Sequence, residues 1–218
     1  MMPLDQVRGA ASTLKVFPLP SAVLFPGTAL PLHIFEPRYR ELVRDALASD
    51  RVVALGDFEP GWERDYGGRP PMRPLACAGV LVWNEALPDG RYNVVLHGLA
   101  RVRLLEELPP THLYREVRAE VLEEAAYQGP LEEMLRQAVL EIAGRVDEGS
   151  AQNLVQLAVR NSGGALADVE AGALFADEEQ RRALLEELNP EARLQQVLDG
   201  LTEIIARMGP AIPSGPPN

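Results

Sequence analysis

The sequence holds little cysteine and little lysine, and it has no long apolar run. Each shortage removes a class of protein. One cysteine, Cys77, cannot form an internal disulfide. No apolar run reaches the roughly 18–20 residues needed to span a bilayer. Met1 to Ala11 carries Asp5 and Arg8 and has no apolar core of the kind a secretory signal needs, so a cytoplasmic location is expected. Lys15 is the single lysine among 21 basic residues, and no glycine precedes it at P-loop spacing. An ATPase that neutralises phosphate with a P-loop lysine is therefore excluded. His33, His97 and His112 stand alone in sequence, and neither they nor Cys77 form a pair at zinc-site spacing. His33, in an apolar strand, reads as a hydrogen-bonded structural imidazole, and Cys77, between two alanines, as a small buried side chain. Ser12 and Ser21 lie near Lys15 but outside any nucleophile turn, and no glycine-rich dinucleotide fingerprint occurs. The sequence thus assigns no catalytic, cofactor or metal residue, and no enzyme is expected. A net charge of −11 also argues against nucleic acid or an anionic membrane as partner.

The remaining composition is that of a globular chain, 46% hydrophobic and 24% charged over 218 residues. Its charge is uneven. Residues 1–122 carry 14 basic and 15 acidic groups, whereas residues 123–218 carry 7 and 17. Texture changes at the same place, around the Tyr127-Gln128-Gly129-Pro130 turn. Before it, strands are predicted at Leu14–Phe17, Ala29–Ile34, Val52–Phe58, Leu75–Glu85, a run through Tyr92, Val94 and Leu96, Arg101–Glu107 and Tyr114–Leu122, with one helix over 37–48 behind Pro37. Close turns between short strands predict a barrel-like antiparallel sheet. After the turn, Leu131, Met134, Leu135, Ala138, Val139 and Ile142 form one apolar stripe. Gln152–Arg160 is a further helix, halted at Asn161-Ser162-Gly163-Gly164. Asp177 and Gln180 form a capping pair, and Leu194 to Met208 alternates by threes and fours. The class is α+β: a β pseudo-barrel over 12–125, a helical bundle over 128–209, and a disordered tail over 210–218.

Two passages put charge in apolar surroundings. Pro31-Leu-His-Ile-Phe-Glu-Pro-Arg-Tyr-Arg40 runs from strand to helix, and Gly98-Leu-Ala-Arg-Val-Arg103 places Arg101 and Arg103 on one strand face. A carboxylate–guanidinium pair between Glu36 and one of those arginines is the expected structural link. The segment Glu59–Pro74 is too rich in proline and glycine for a regular element. It carries Trp62, Arg64, Tyr66, Arg69 and Arg73, the residue types enriched at binding hot spots. Two readings apply: a recognition loop, or a loop folded back with Trp62 as a lid over the barrel.

Phe17-Pro-Leu, Leu24-Phe-Pro-Gly-Thr-Ala-Leu-Pro-Leu-His-Ile-Phe-Glu-Pro-Arg-Tyr-Arg40, Pro88-Asp-Gly-Arg-Tyr and Gly98-Leu-Ala-Arg-Val-Arg103 together resemble the N-terminal domain of Lon proteases, and more closely the stand-alone bacterial proteins built from it. Asp177 to Leu194 is similar to that family's helical extension. The resemblance implies a PUA-like pseudo-barrel followed by helices and a role in substrate recognition. Lon's ATPase and Ser-Lys protease lie C-terminal to this domain, so neither activity is expected of 218 residues. The expected function is a non-catalytic module binding unfolded or partner polypeptide segments. The alternative is an RNA-binding module, since RNA binders share the PUA-like fold.

Overall fold

A computed structural model describes residues 3–20 and 22–208, so the tail expected over 210–218 lies outside the described residues. The chain divides into two compact units, residues 1–123 and 124–218. The first unit holds six strands: β1 (Leu14–Pro18), β2 (Ala29–Ile34), β3 (Val52–Gly56), β4 (Leu75–Ala86), β5 (Tyr92–Glu107) and β6 (Arg115–Val121). Helix α1 (Pro3–Ala10) precedes them, and α2 (Pro37–Leu47) joins β2 to β3. The sheet order is β2-β5-β4-β3-β1-β6, and β6 also pairs with β5, which closes the sheet into a barrel. Every pairing is antiparallel except β1 with β3, where Val16 lies opposite Ala54. Parallel neighbours need a crossover, and β2 with α2 supplies it.

Strand β5 is one element of 16 residues where the sequence suggested two. Its first part, Tyr92 to His97, pairs with β2, and its later part, from Val102, pairs with β6. Gly98 sits where the partners change. Its N–H donates to the Thr28 carbonyl, and its own carbonyl accepts from Gly27 N–H, both at 2.9 Å. A Cβ at this position would overlap the Phe25 carbonyl. The two glycine-bearing passages, Phe25–Thr28 and Gly98–Arg103, are therefore two sides of one backbone contact. Small residues let the strands approach. Ala54, Ala76, Ala78 and Ala100 pack with Val7, Leu14, Val16, Val52, Val102 and Val117 in the barrel core. Helix α1, which the sequence reading did not assign, contributes Val7 and Ala10 to that core.

The second unit contains α3 (Pro130–Ala143), α4 (Glu148–Arg160), α5 (Gly163–Leu174), α6 (Glu178–Glu186) and α7 (Pro190–Met208). Asp177 caps α6 by accepting from Gln180 N–H at 2.7 Å. Leu135, Val139 and Ile142 of α3 and Leu194, Val197 and Leu201 of α7 are buried, whereas Met134, on the expected apolar stripe, is exposed. Helix α5 was not predicted. It begins at the glycines read as a stop, and it has buried residues nearly all round, so no amphipathic period marks it. Gly163 holds φ +55°, a conformation that favours glycine. Arg193 of α7 is fully buried. Its Nε lies 2.9 Å from Asp168 of α5, its Nη1 donates to the Glu187 carbonyl at 2.7 Å, and its Nη2 pairs with Glu124.

Two tests follow from the packing. Gly98→Ala should destabilise the protein by about 2–3 kcal/mol in urea unfolding, because the added methyl forces two backbones apart. A loss below about 0.5 kcal/mol would show that the junction yields freely. Glu170 on α5 is fully buried, and neither carboxylate oxygen has a hydrogen-bond partner among the described residues. Burial pushes its carboxyl up from 4.5 to about 7. Between those values the unfolded chain releases the proton and the folded one keeps it. Stability should therefore fall as pH rises from about 4.5 to 7, by on the order of 3 kcal/mol, and stay level above. In Glu170→Gln that slope should disappear from denaturation curves taken across the range.

Candidate functional site

Helix α2 starts sharply because Pro37 occupies its first turn with φ already set. Glu36, just before it, is extended, and its carbonyl accepts from the N–H groups of Tyr39 and Arg40. Its carboxylate does not cap the helix. One oxygen accepts from Arg38 Nε at 2.9 Å and the other from the Tyr66 hydroxyl at 2.8 Å. Arg38 in turn lies over two phenol rings, 4.7 Å from the centroid of Tyr39 and 4.7 Å from that of Tyr66. Tyr39 is buried against Phe17 of β1, with centroids 4.1 Å apart, and its hydroxyl donates to the Pro18 carbonyl at 3.3 Å. Burial is the main cause that pushes the Tyr39 phenol far above its ordinary value. Desolvation, followed by the hydrogen bond to Glu36, raises that of Tyr66.

The expected pairing of Glu36 with Arg101 or Arg103 is not what forms. Ile34, two residues before Glu36, lies opposite Tyr92 at the start of β5, whereas Arg101 and Arg103 lie beyond Gly98 in its later part. Arg103 pairs with Glu120 of β6 at 3.4 Å, and Arg101 is buried opposite Cys77. Arg38, two residues from Glu36, takes the place expected for them.

The segment 59–74 is pinched at its base and returns to the barrel. Phe58 bridges Met72, Glu59 N–H donates to the Pro71 carbonyl, and Arg73 N–H donates to the Asp57 carbonyl. A short 3₁₀ turn at Trp62–Asp65 interrupts the expected irregular run. Trp62 is half-buried and stacks on the buried Phe58 at 5.5 Å, and Tyr66 meets the Trp62 ring at 5.4 Å. Arg69 pairs with Glu107 at 2.7 Å, and Arg73 lies 3.6 Å from Asp57. Arg115 pairs with Glu107 and donates to the Pro70 carbonyl at 2.6 Å. Arg64 is exposed. Of the five residues singled out in this loop, Trp62 and Tyr66 belong to one aromatic cluster with Phe58, while Arg69 and Arg73 anchor the loop.

A cleft of about 40 Å³ opens beside this cluster, lined by Pro18, Tyr39, Phe58, Pro70 and Leu113 with Arg38 at its edge. A wider, shallow groove of about 370 Å³ also has Leu113 in its lining, with Pro37, Arg40, Glu41, Arg44 and Tyr92. Leu113, the wall common to both, is 64% exposed. The sequence reading missed Leu113, because one leucine in a connecting segment carries no pattern. It quoted Arg38 and Tyr39 only as part of a motif.

The chain matches the family model for the ATP-dependent protease La (LON) substrate-binding domain over residues 13–203. It belongs to the Lon substrate-binding domain family. Lon protease 4 of Sorangium cellulosum is 31% identical over 213 residues, covering 93% of this chain and 26% of that protein. Lon protease 2 of Myxococcus xanthus is 26% identical over 194 residues, covering 85% and 23%. The chain thus spans about a quarter of the length of these relatives. Two solved structures share the fold. The N-terminal domain of a Mycobacterium avium complex Lon protease superposes with a TM-score of 0.69 at 16% identity, covering 88% of this chain and 99% of that one. A Lon N-terminal domain protein from Xanthomonas campestris gives 0.63 at 22%, covering 86% and 98%. The α+β pseudo-barrel expected from the sequence is therefore the Lon N-terminal fold. Among the described residues no helix is long and apolar enough to cross a membrane.

The Glu36–Arg38–Tyr66 link makes a prediction for this family member. Glu36→Gln should cost on the order of 1 kcal/mol, since the pair is partly exposed. It should also speed amide exchange at residues 62–66, which the carboxylate ties to α2. Unchanged exchange there would mean that ring stacking alone holds the loop.

Proposed function

We propose that the protein is a non-catalytic polypeptide-binding module that engages exposed apolar segments at the face built from the start of α2, the 62–66 turn and Leu113. The observation carrying this reading is the pair of hollows that meet at Leu113, flanked by a half-exposed aromatic cluster. A small cleft and a larger groove that share one exposed leucine in their lining suit an extended chain passing over that leucine. The family's description as a substrate-binding domain supports a polypeptide as the occupant. The shortage of lysine and the absence of a P-loop support a binding role without ATP turnover.

The charge pattern disfavours the RNA alternative. Of the arginines around the smaller cleft, Arg38 is held by Glu36, while Arg69 and Arg115 share Glu107. That leaves one net positive charge at the cleft in a chain of net charge −11, too few cations to follow a phosphate backbone. Features of the loop support both readings the sequence offered. Trp62 packs down on Phe58, while Tyr66, tied to Glu36 through its hydroxyl, keeps 39% of its surface in solvent.

The test is fluorescence anisotropy with a labelled, permanently unfolded polypeptide such as reduced and carboxymethylated α-lactalbumin. Leu113→Asp should weaken binding at least tenfold with little change in melting temperature, because Leu113 is exposed. Val159→Asp, on an exposed position of α4 in the other unit, should bind as the native protein does. Equal affinity in all three proteins would overturn the assignment of the face.

A further inference from the structure

We propose that Glu41, Asp45 and His112 form a binding site for a divalent first-row transition-metal ion, with zinc as its reference occupant. Spacing along the sequence hides this group, since 67 positions separate Asp45 from His112, and the sequence reading accordingly assigned no metal ligand. The fold brings them together. Glu41 and Asp45 stand one turn apart on α2 and so project from the same face. His112 arrives on the connection between β5 and β6. Its Nδ1 lies 3.5 Å from Glu41 Oε1 and 3.9 Å from Asp45 Oδ2. The three donor atoms all fall within 4.8 Å of one another.

The geometry and the donor chemistry agree. A tetrahedral zinc with bonds of about 2.0–2.1 Å holds its donors roughly 3.3–3.4 Å apart. On the histidine side the donors therefore need to close by about 0.1–0.6 Å. Carboxylate oxygen and imidazole nitrogen are both ligand types that such ions accept. Calcium and magnesium favour all-oxygen shells, which the imidazole does not offer. A carboxylate also stands on the far side of the ring. His112 Nε2 lies 3.8 Å from Glu116 Oε2, beyond hydrogen-bond distance but on the side from which a carboxylate can orient a metal-bound imidazole. Tyr114 stacks parallel to the His112 ring, 4.8 Å away at 8°, which fixes its plane, and the Tyr114 hydroxyl donates to Asp45 Oδ2 at 3.2 Å. His112 keeps about a third of its side chain in solvent, which leaves the fourth coordination position to water.

Arg44 is the competing cation. Its Nε lies 2.9 Å from Asp45 Oδ1, and its Nη2 lies 3.9 Å from Glu41 Oε1. Its side chain is 63% exposed, so it can turn outward when a metal enters. A bound ion would tie the connection carrying His112, and hence its neighbour Leu113, to α2. The site stands on its own ligands and not on the polypeptide-binding reading.

Isothermal titration of the purified, metal-free chain with Zn²⁺ alone tests the proposal. One ion should bind per chain with a dissociation constant in the micromolar range or tighter, and Co²⁺ should give the intense visible bands of a four-coordinate site. His112→Gln and Glu41→Gln should each weaken binding at least tenfold and abolish those bands, while His33→Gln should change neither. Circular dichroism of each variant confirms that it is folded. Native-like Zn²⁺ affinity in His112→Gln, or no binding by the native protein at 100 μM Zn²⁺, would overturn the proposal.

Discussion

The barrel depends on one strand pairing with three neighbours. β5 lies against β4 along most of its length, takes β2 on its other edge at the start, and exchanges it for β6 toward the end. The exchange occurs at Gly98, whose N–H and C=O are both used by the turn after Phe25. A side chain at that point would collide with the Phe25 carbonyl. Without the exchange β6 could not reach β5, and the sheet would stay open with a free edge.

Closure positions everything on the candidate binding face. Because β1 and β3 are parallel neighbours, the chain must cross between them, and α2 makes that crossing. Tyr39 anchors the helix to β1 through Phe17 and Pro18. Arg38, the adjacent residue, is then held over the Tyr39 ring with Tyr66 on its other side, and Glu36 locks both. Cation–π contacts of this kind contribute about 0.5–1 kcal/mol each at partly exposed sites. The loop from Glu59 to Pro74 is thus held to the barrel by stacking and by backbone bonds at its base, and its outer rim stays in solvent.

The strands of the first unit were legible because β-branched runs and turn residues mark them locally. Ala29–Ile34 matches its predicted bounds, and Pro37 announced α2. The helices of the second unit with one apolar face were legible for the same reason. Helix α5 was not, because it is apolar all round and starts at glycines that usually end helices. β5 was expected as two runs, but it continues through Gly98, where glycine permits a close approach of backbones. The loop aromatics Trp62 and Tyr66 were visible from residue type. Their partners were not, since pairing across 30 positions, as between Glu36 and Tyr66, is written in the fold and not in spacing. The same holds for His112, whose neighbours Glu41 and Asp45 are distant in sequence and one helix turn apart in space.

The central claim is that polypeptide binds where α2, the 62–66 turn and Leu113 meet. Amide chemical-shift mapping of the isotope-labelled protein with an unlabelled, permanently unfolded polypeptide tests it most directly. The account predicts shifts concentrated at Arg38–Glu41, Trp62–Gly68, Arg91–Tyr92 and Leu113–Arg115. Shifts confined to the helices after Glu124, or none at saturating polypeptide, would contradict it.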